Sequence, residues 1–188
     1  MVSMTELWLP ILLSAVFVFM ISSIIHMATP MHKSDFKKFP GEDRILAELR
    51  AQGVQPGSYM FPCAASMKDC GSPEMVEKYT LGPVGFVTVV PSGAPGMGKN
   101  LVLWFLFSLL VSAFVAHLAA QAFAPGAGSK PVFHLTALAA VLGYSMGALP
   151  DTIWKGQKWS ITLKFVIDGV IYGAVTGLTF AWRWPAAT

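Results

Sequence analysis

The chain has 188 residues, 54% of them hydrophobic and only 12% charged, and a mean hydropathy of +0.58. Ordinary soluble domains carry about a quarter charged residues, so water cannot cover the whole of this surface and lipid is expected to cover part of it. A formal charge of +3 is too small to argue for nucleic acid, and two cysteines, Cys63 and Cys70, exclude a disulfide framework.

The N-terminus, MVSMTELWLP, lacks the positive n-region of a secretory signal. No charge falls between residues 7 and 25, and the apolar character continues to 28. About 20 such residues suffice to cross a bilayer, so 1–29 reads as a short lead and a retained first span. Where it ends, HMATPMH places His26, Met27, Met31 and His32 close in sequence. Thioethers and imidazoles suit copper, but Pro30 interrupts the run, and Cys63 and Cys70 lack a ligand spacing. An interfacial turn is therefore expected, with no metal and these four as its only candidates. Reduced thiols are expected at the two cysteines.

Residues 30–100 differ in composition and hold most of the charges and prolines. This stretch of about seventy residues reads as an extramembrane segment. Glu42 and Asp43 lead into RILAELRAQG, with Ile45, Leu46 and Leu49 on one face, Arg50 near the end and Gly53 as terminator. That pattern predicts an amphipathic helix whose charges match its dipole, its apolar face resting on the membrane or the bundle. GFVTVV, bounded by Gly-Pro and Pro-Ser-Gly, predicts a short strand that needs a partner in this segment or in another chain. GAPGMGKN fits the spacing of a phosphate-binding loop as far as Lys99, but Asn100 stands where Ser or Thr would hold magnesium. The helix that follows is a membrane span, so a linker is expected and nucleotide binding is rejected.

Three further apolar runs occupy 101–184, at residues 101–123, 132–149 and 161–184, with a C-terminal tail at 185–188. The third run ends at Pro150-Asp151; short joins make neighbours antiparallel. The fold class is thus an all-α membrane protein, a bundle of four transmembrane helices. Lys33, Lys37, Lys38, Arg44, Lys99, Lys155 and Lys158 lie on one side, against Lys130 and Arg183 on the other. Positive residues stay cytoplasmic, which puts both termini outside the cytoplasm. Trp8, Trp182 and Trp184 would mark one interface, and Trp104, Trp154 and Trp159 the other.

Gly169, Gly173 and Gly177 repeat every four residues in the last run, and Gly143 and Gly147 form a matching pair in the third. Lipid gives helices no hydrophobic reason to associate, so close backbone contact along such glycines is expected to join these two helices, within the chain or between copies. Asp168 sits inside the last run, at a cost of a few kcal/mol. At about 1.5 Å per residue it lies roughly 10 Å from the end of its helix, level with Ser23, Ser108, Tyr144 and Ser145. These five form a candidate polar layer. The plainer expectation is that Lys164, one turn earlier, pairs with Asp168 and draws it toward the interface. His117 is expected to bond Gln121 or His134 rather than to relay protons.

No cofactor motif, catalytic triad or metal fingerprint emerges, so catalysis is not the expected role. The leading expectation is a non-catalytic accessory subunit of a membrane complex, with the bilayer, other subunits or a second copy as partners. A small oligomeric channel or transporter using the Asp168 layer is the alternative, and a membrane-bound metal-handling protein the third.

Overall fold

The structure, a computed structural model, describes residues 2–94 and 96–187. The chain divides into two compact units, one formed by Met1–Asp35 with Gly96–Thr188, the other by Phe36–Pro95.

In the first unit, helices α1 (Trp8–Ala28), α4 (Met97–Ala122), α5 (Ser129–Ser145) and α7 (Trp159–Trp182) carry the apolar runs. A 3₁₀ turn, Met146–Ala148, and a short helix α6 (Leu149–Lys155) continue α5. Counting that continuation with α5, four helices are long and apolar enough to cross a membrane. The third therefore does not stop at Pro150-Asp151. Pro150 lacks an N–H and its ring crowds the carbonyl four residues back, so the helix tightens at Met146–Ala148 and restarts with Pro150 in its first turn.

Helix α1 packs against α4 and α7, and α5 packs against α7 and α4, which closes a four-helix ring. The α5–α7 contact is the most extensive. A Cβ on Gly173 would lie 2.8 Å from the Ala137 carbonyl and against Val141, and one on Gly177 would lie 2.7 Å from Ala137 Cβ. On Gly169 it would run into Ser145. Rising α7 numbers thus meet falling α5 numbers, so the helices are antiparallel with backbones nearly touching. The third-run glycines do not answer this stripe. Gly143 faces Val111 of α4, and nothing lies within 4 Å of a Cβ on Gly147.

Between α1 and α4 a buried hydrogen bond joins Ser14 to Ser112 at 2.9 Å, and Trp104 Nε1–H donates to Ser22 Oγ at 2.8 Å. Trp104 therefore points into the bundle, packing on Tyr144 and Tyr172, instead of anchoring an interface. Its indole N–H finds an acceptor there. Large apolar side chains such as Phe17, Met20, Leu106, Leu110, Phe114 and Leu178 face outward.

The second unit holds helix α2 (Glu42–Ala51), strand β1 (Gly57–Phe61), helix α3 (Pro73–Leu81) and strand β2 (Gly85–Val89). The expected strand finds its partner within the segment: β2 pairs antiparallel with β1, Gly57 opposite Val89 and Phe61 opposite Gly85. The chain is thus mostly helical rather than all-α. Helix α3 is set by its own start signal. Ser72 caps it by accepting from the Met75 N–H, Pro73 fills the first turn and Glu74 suits the dipole. Cys63 and Cys70 are free thiols.

Candidate functional site

The site is built where α1 ends. Thr29 takes an extended conformation, as a residue before proline must, and its hydroxyl donates to the Ile25 carbonyl at 2.6 Å. Pro30 then starts a tight turn in which the Lys33 and Asp35 amides donate to the Pro30 and His32 carbonyls. The turn folds His32 back under His26, and the two imidazoles stack 4.3 Å apart, only 5° from parallel. Pro30, which in the sequence interrupts the HMATPMH run, is what brings the two histidines together.

Across from them stands Asp168 of α7, its side chain 3% exposed. His32 Nε2 lies 3.0 Å from Asp168 Oδ2 and His26 Nε2 lies 3.8 Å from it. Each histidine is held by its other ring nitrogen. His26 Nδ1 is 3.0 Å from the Ser22 carbonyl, and His32 Nδ1 is 2.6 Å from Asp35 Oδ2. A carbonyl or carboxylate can only accept, so both Nδ1 atoms donate, and Nε2 is the ring nitrogen that each histidine turns toward Asp168. The His32–Asp168 distance suits an ion pair, yet the two atoms do not align as a hydrogen bond: His32 Nε2 and both Asp168 oxygens are buried and unpartnered among the described residues.

Asp35 is the hinge of this arrangement. Its Oδ1 receives Lys164 Nζ at 2.5 Å, and the same ammonium donates to Ser34 Oγ at 3.0 Å. Lys164 thus pairs with Asp35, not with Asp168 one turn away, because the turn after α1 offers it a carboxylate and a hydroxyl together. The Lys164 ammonium, helped by His32, holds the Asp35 carboxyl below the usual carboxylate range against the opposing effect of burial.

Behind the three facing groups lies a cavity of about 330 Å³. Asp168, Tyr144 and Tyr172 form its inner end, and Met27, Met97 and Leu101 its exposed rim. The hydroxyls of Tyr144 and Tyr172 are buried with no hydrogen-bond partner among the described residues.

Of the candidate polar layer, Ser23, Tyr144 and Asp168 line this cavity. Ser108 and Ser145 do not: their hydroxyls bond back to the Trp104 and Val166 carbonyls. Of the HMATPMH residues, His26 and His32 join Asp168, Met27 stands on the rim, and Met31 packs against the Val18, Ile25 and Tyr172 cluster. His117 makes no hydrogen bond to Gln121 or His134 among the described residues and faces outward beside Phe114. Gly98 and Lys99 of the GAPGMGKN stretch sit in the first turn of α4, while its Pro95 lies outside the described residues, as do Met1 and Thr188 of the terminal segments. Asp35, Tyr172 and Ser22 carry no sequence signal beyond the His32-Lys33-Ser34-Asp35 spacing, which puts a carboxylate one turn from a histidine.

One donor atom from each of His26, His32 and Asp168 falls within 4.8 Å of the other two. Two imidazole nitrogens and one carboxylate oxygen are a donor set that suits zinc or iron(II), leaving further coordination positions open. No protein-family model, curated protein or solved structure matches the chain.

Proposed function

We propose that this is a multi-pass membrane protein that binds one divalent transition-metal ion, zinc or iron(II), on His26, His32 and Asp168, and that it uses the ion at an open position rather than as a structural staple. The observation that carries the reading is the pair of imidazoles whose Nδ1–H groups are already committed, so that both Nε2 atoms and a buried carboxylate share one small volume. A cation among them would take all three as ligands once the stacked rings, 5° from parallel, turn so that both Nε2 atoms point at it, because a metal lies in the plane of the imidazole that binds it. A carboxylate behind a metal-bound histidine fixes the ring and strengthens its basicity, and Asp35 stands in that relation to His32. Three protein ligands with room beyond them is the arrangement of a reactive centre; structural zinc sites close with four.

The expectation of an accessory subunit rested on an unpaired strand, a glycine-lined face and the scarcity of buried ionisable groups. The first two find partners inside this chain, β1 for the strand and α5 for the α7 glycines, so the geometry favours a site of the protein's own. The lysine bias continues to support a cytoplasmic position for the turn after α1, with both termini on the other side.

Elemental analysis of detergent-purified protein, expressed with zinc and iron supplied and purified without chelators, tests the reading. About one equivalent of zinc or iron per chain is expected. His32→Ala and Asp168→Asn should each reduce it to background, while Ser23→Ala keeps it. Absence of metal from the wild type, or undiminished metal in both variants, overturns it.

A further inference from the structure

Resting on that metal centre, we infer that the adjoining cavity binds a single-chain, membrane-soluble carboxylate, with its carboxylate on the ion and its chain leaving between α1 and α4. The position of the cavity argues for delivery from the bilayer. Its rim is apolar and open: Met27 is 79% exposed, Met97 66% and Leu101 39%. No charged side chain lines it apart from Asp168 and the titratable His26. A water-borne, highly charged compound would meet a wall of thioethers and aliphatic carbon before reaching a polar atom.

Charge selects the headgroup. A metal bound through Nε2 takes each histidine as a neutral imidazole, and Lys164 cancels Asp35. A divalent ion with Asp168 therefore leaves a net charge of plus one at the inner end of the cavity. In a low-dielectric place such a charge is costly unless neutralised. A monoanionic oxygen ligand removes it, whereas a cationic headgroup adds to it. Tyr172 lines the cavity with Asp168, and its unpartnered hydroxyl offers one donor to a ligand oxygen that the ion leaves free.

Size selects the chain. At about 30 Å³ per small heavy-atom group, 330 Å³ admits roughly ten such groups. This is a headgroup and the first part of one chain.

The test uses full-length protein in phosphatidylcholine nanodiscs, with metal content measured in every sample. Binding of radiolabelled dodecanoate is compared with dodecyltrimethylammonium, which has the same chain and the opposite charge, and with acetate, which lacks the chain. Dodecanoate is expected to bind at least tenfold more tightly than either. Leu101→Trp, which fills the rim, and Met97→Trp as a second variant should weaken it at least tenfold with metal content unchanged. Equal binding of the cationic amphiphile or of acetate, tighter binding of phosphatidate than of dodecanoate, or insensitivity to both rim variants overturns the inference while leaving the metal centre standing. Absence of metal from the wild type removes both.

Discussion

The Oδ2 of Asp35 lies 2.6 Å from Nδ1 of His32, three residues earlier in the same turn, while the Oδ1 of Asp35 is held by Lys164, 129 residues later in α7. One carboxylate therefore transmits the position of a distant helix to the orientation of an imidazole. Ring orientation decides where the free Nε2 lone pair falls, so this contact governs the site although neither Asp35 nor Lys164 belongs to the proposed ligand set.

Asp35→Ala should lower metal affinity by about 10–100-fold, the usual effect of losing a carboxylate behind a ligating histidine. Lys164→Met should act in the same direction, because it leaves Asp35 without its cation. Competition against a chelator of known affinity measures both. Wild-type affinity in Asp35→Ala would show that the turn backbone alone orients His32.

Gly173 and Gly147 should respond oppositely to the same change. A Cβ on Gly173 meets the Ala137 carbonyl at 2.8 Å, whereas one on Gly147 meets nothing within 4 Å. Gly173→Ala is expected to cost about 1–3 kcal/mol through overpacking and Gly147→Ala less than about 0.5 kcal/mol. Thermal unfolding in detergent separates them; equal midpoints would mean that α5 and α7 do not approach this closely.

Ser72→Ala should destabilise α3 by about 1 kcal/mol, since the Ser72 hydroxyl accepts from the Met75 N–H at the helix start. Hydrogen exchange should accelerate over residues 73–81 and stay unchanged in the four long helices. Unaltered exchange at 73–81 would show that the cap contributes nothing.

Cys63 is exposed and free, which makes it a reporter of orientation. With Cys70→Ser as background, a membrane-impermeant maleimide should leave Cys63 unlabelled in intact cells and label it after permeabilisation. Labelling in intact cells would invert the proposed topology.

The four long apolar helices were legible from composition because hydropathy is a property of each segment by itself. A run of some twenty apolar residues can form a helix long enough to span a bilayer whatever its neighbours are. Helix α3 also carries a local start signal, Ser72-Pro73-Glu74, although only α2 was expected as a helix in this segment. The small residues on α7 likewise mark a face that can approach another backbone. They do not say which helix answers, and Ala137, Val141 and Ser145 meet them rather than Gly143 and Gly147.

The site itself was decided by tertiary structure. His26, His32, Asp35, Lys164 and Asp168 are ordinary residues at unremarkable spacings in the sequence. They converge because Pro30 reverses the chain under α1 and because the helical ring sets the rotation of α7. The turn at Pro30 is local, but the rotation of α7 depends on pairwise packing between segments more than a hundred residues apart, and no periodicity within either segment encodes that distance.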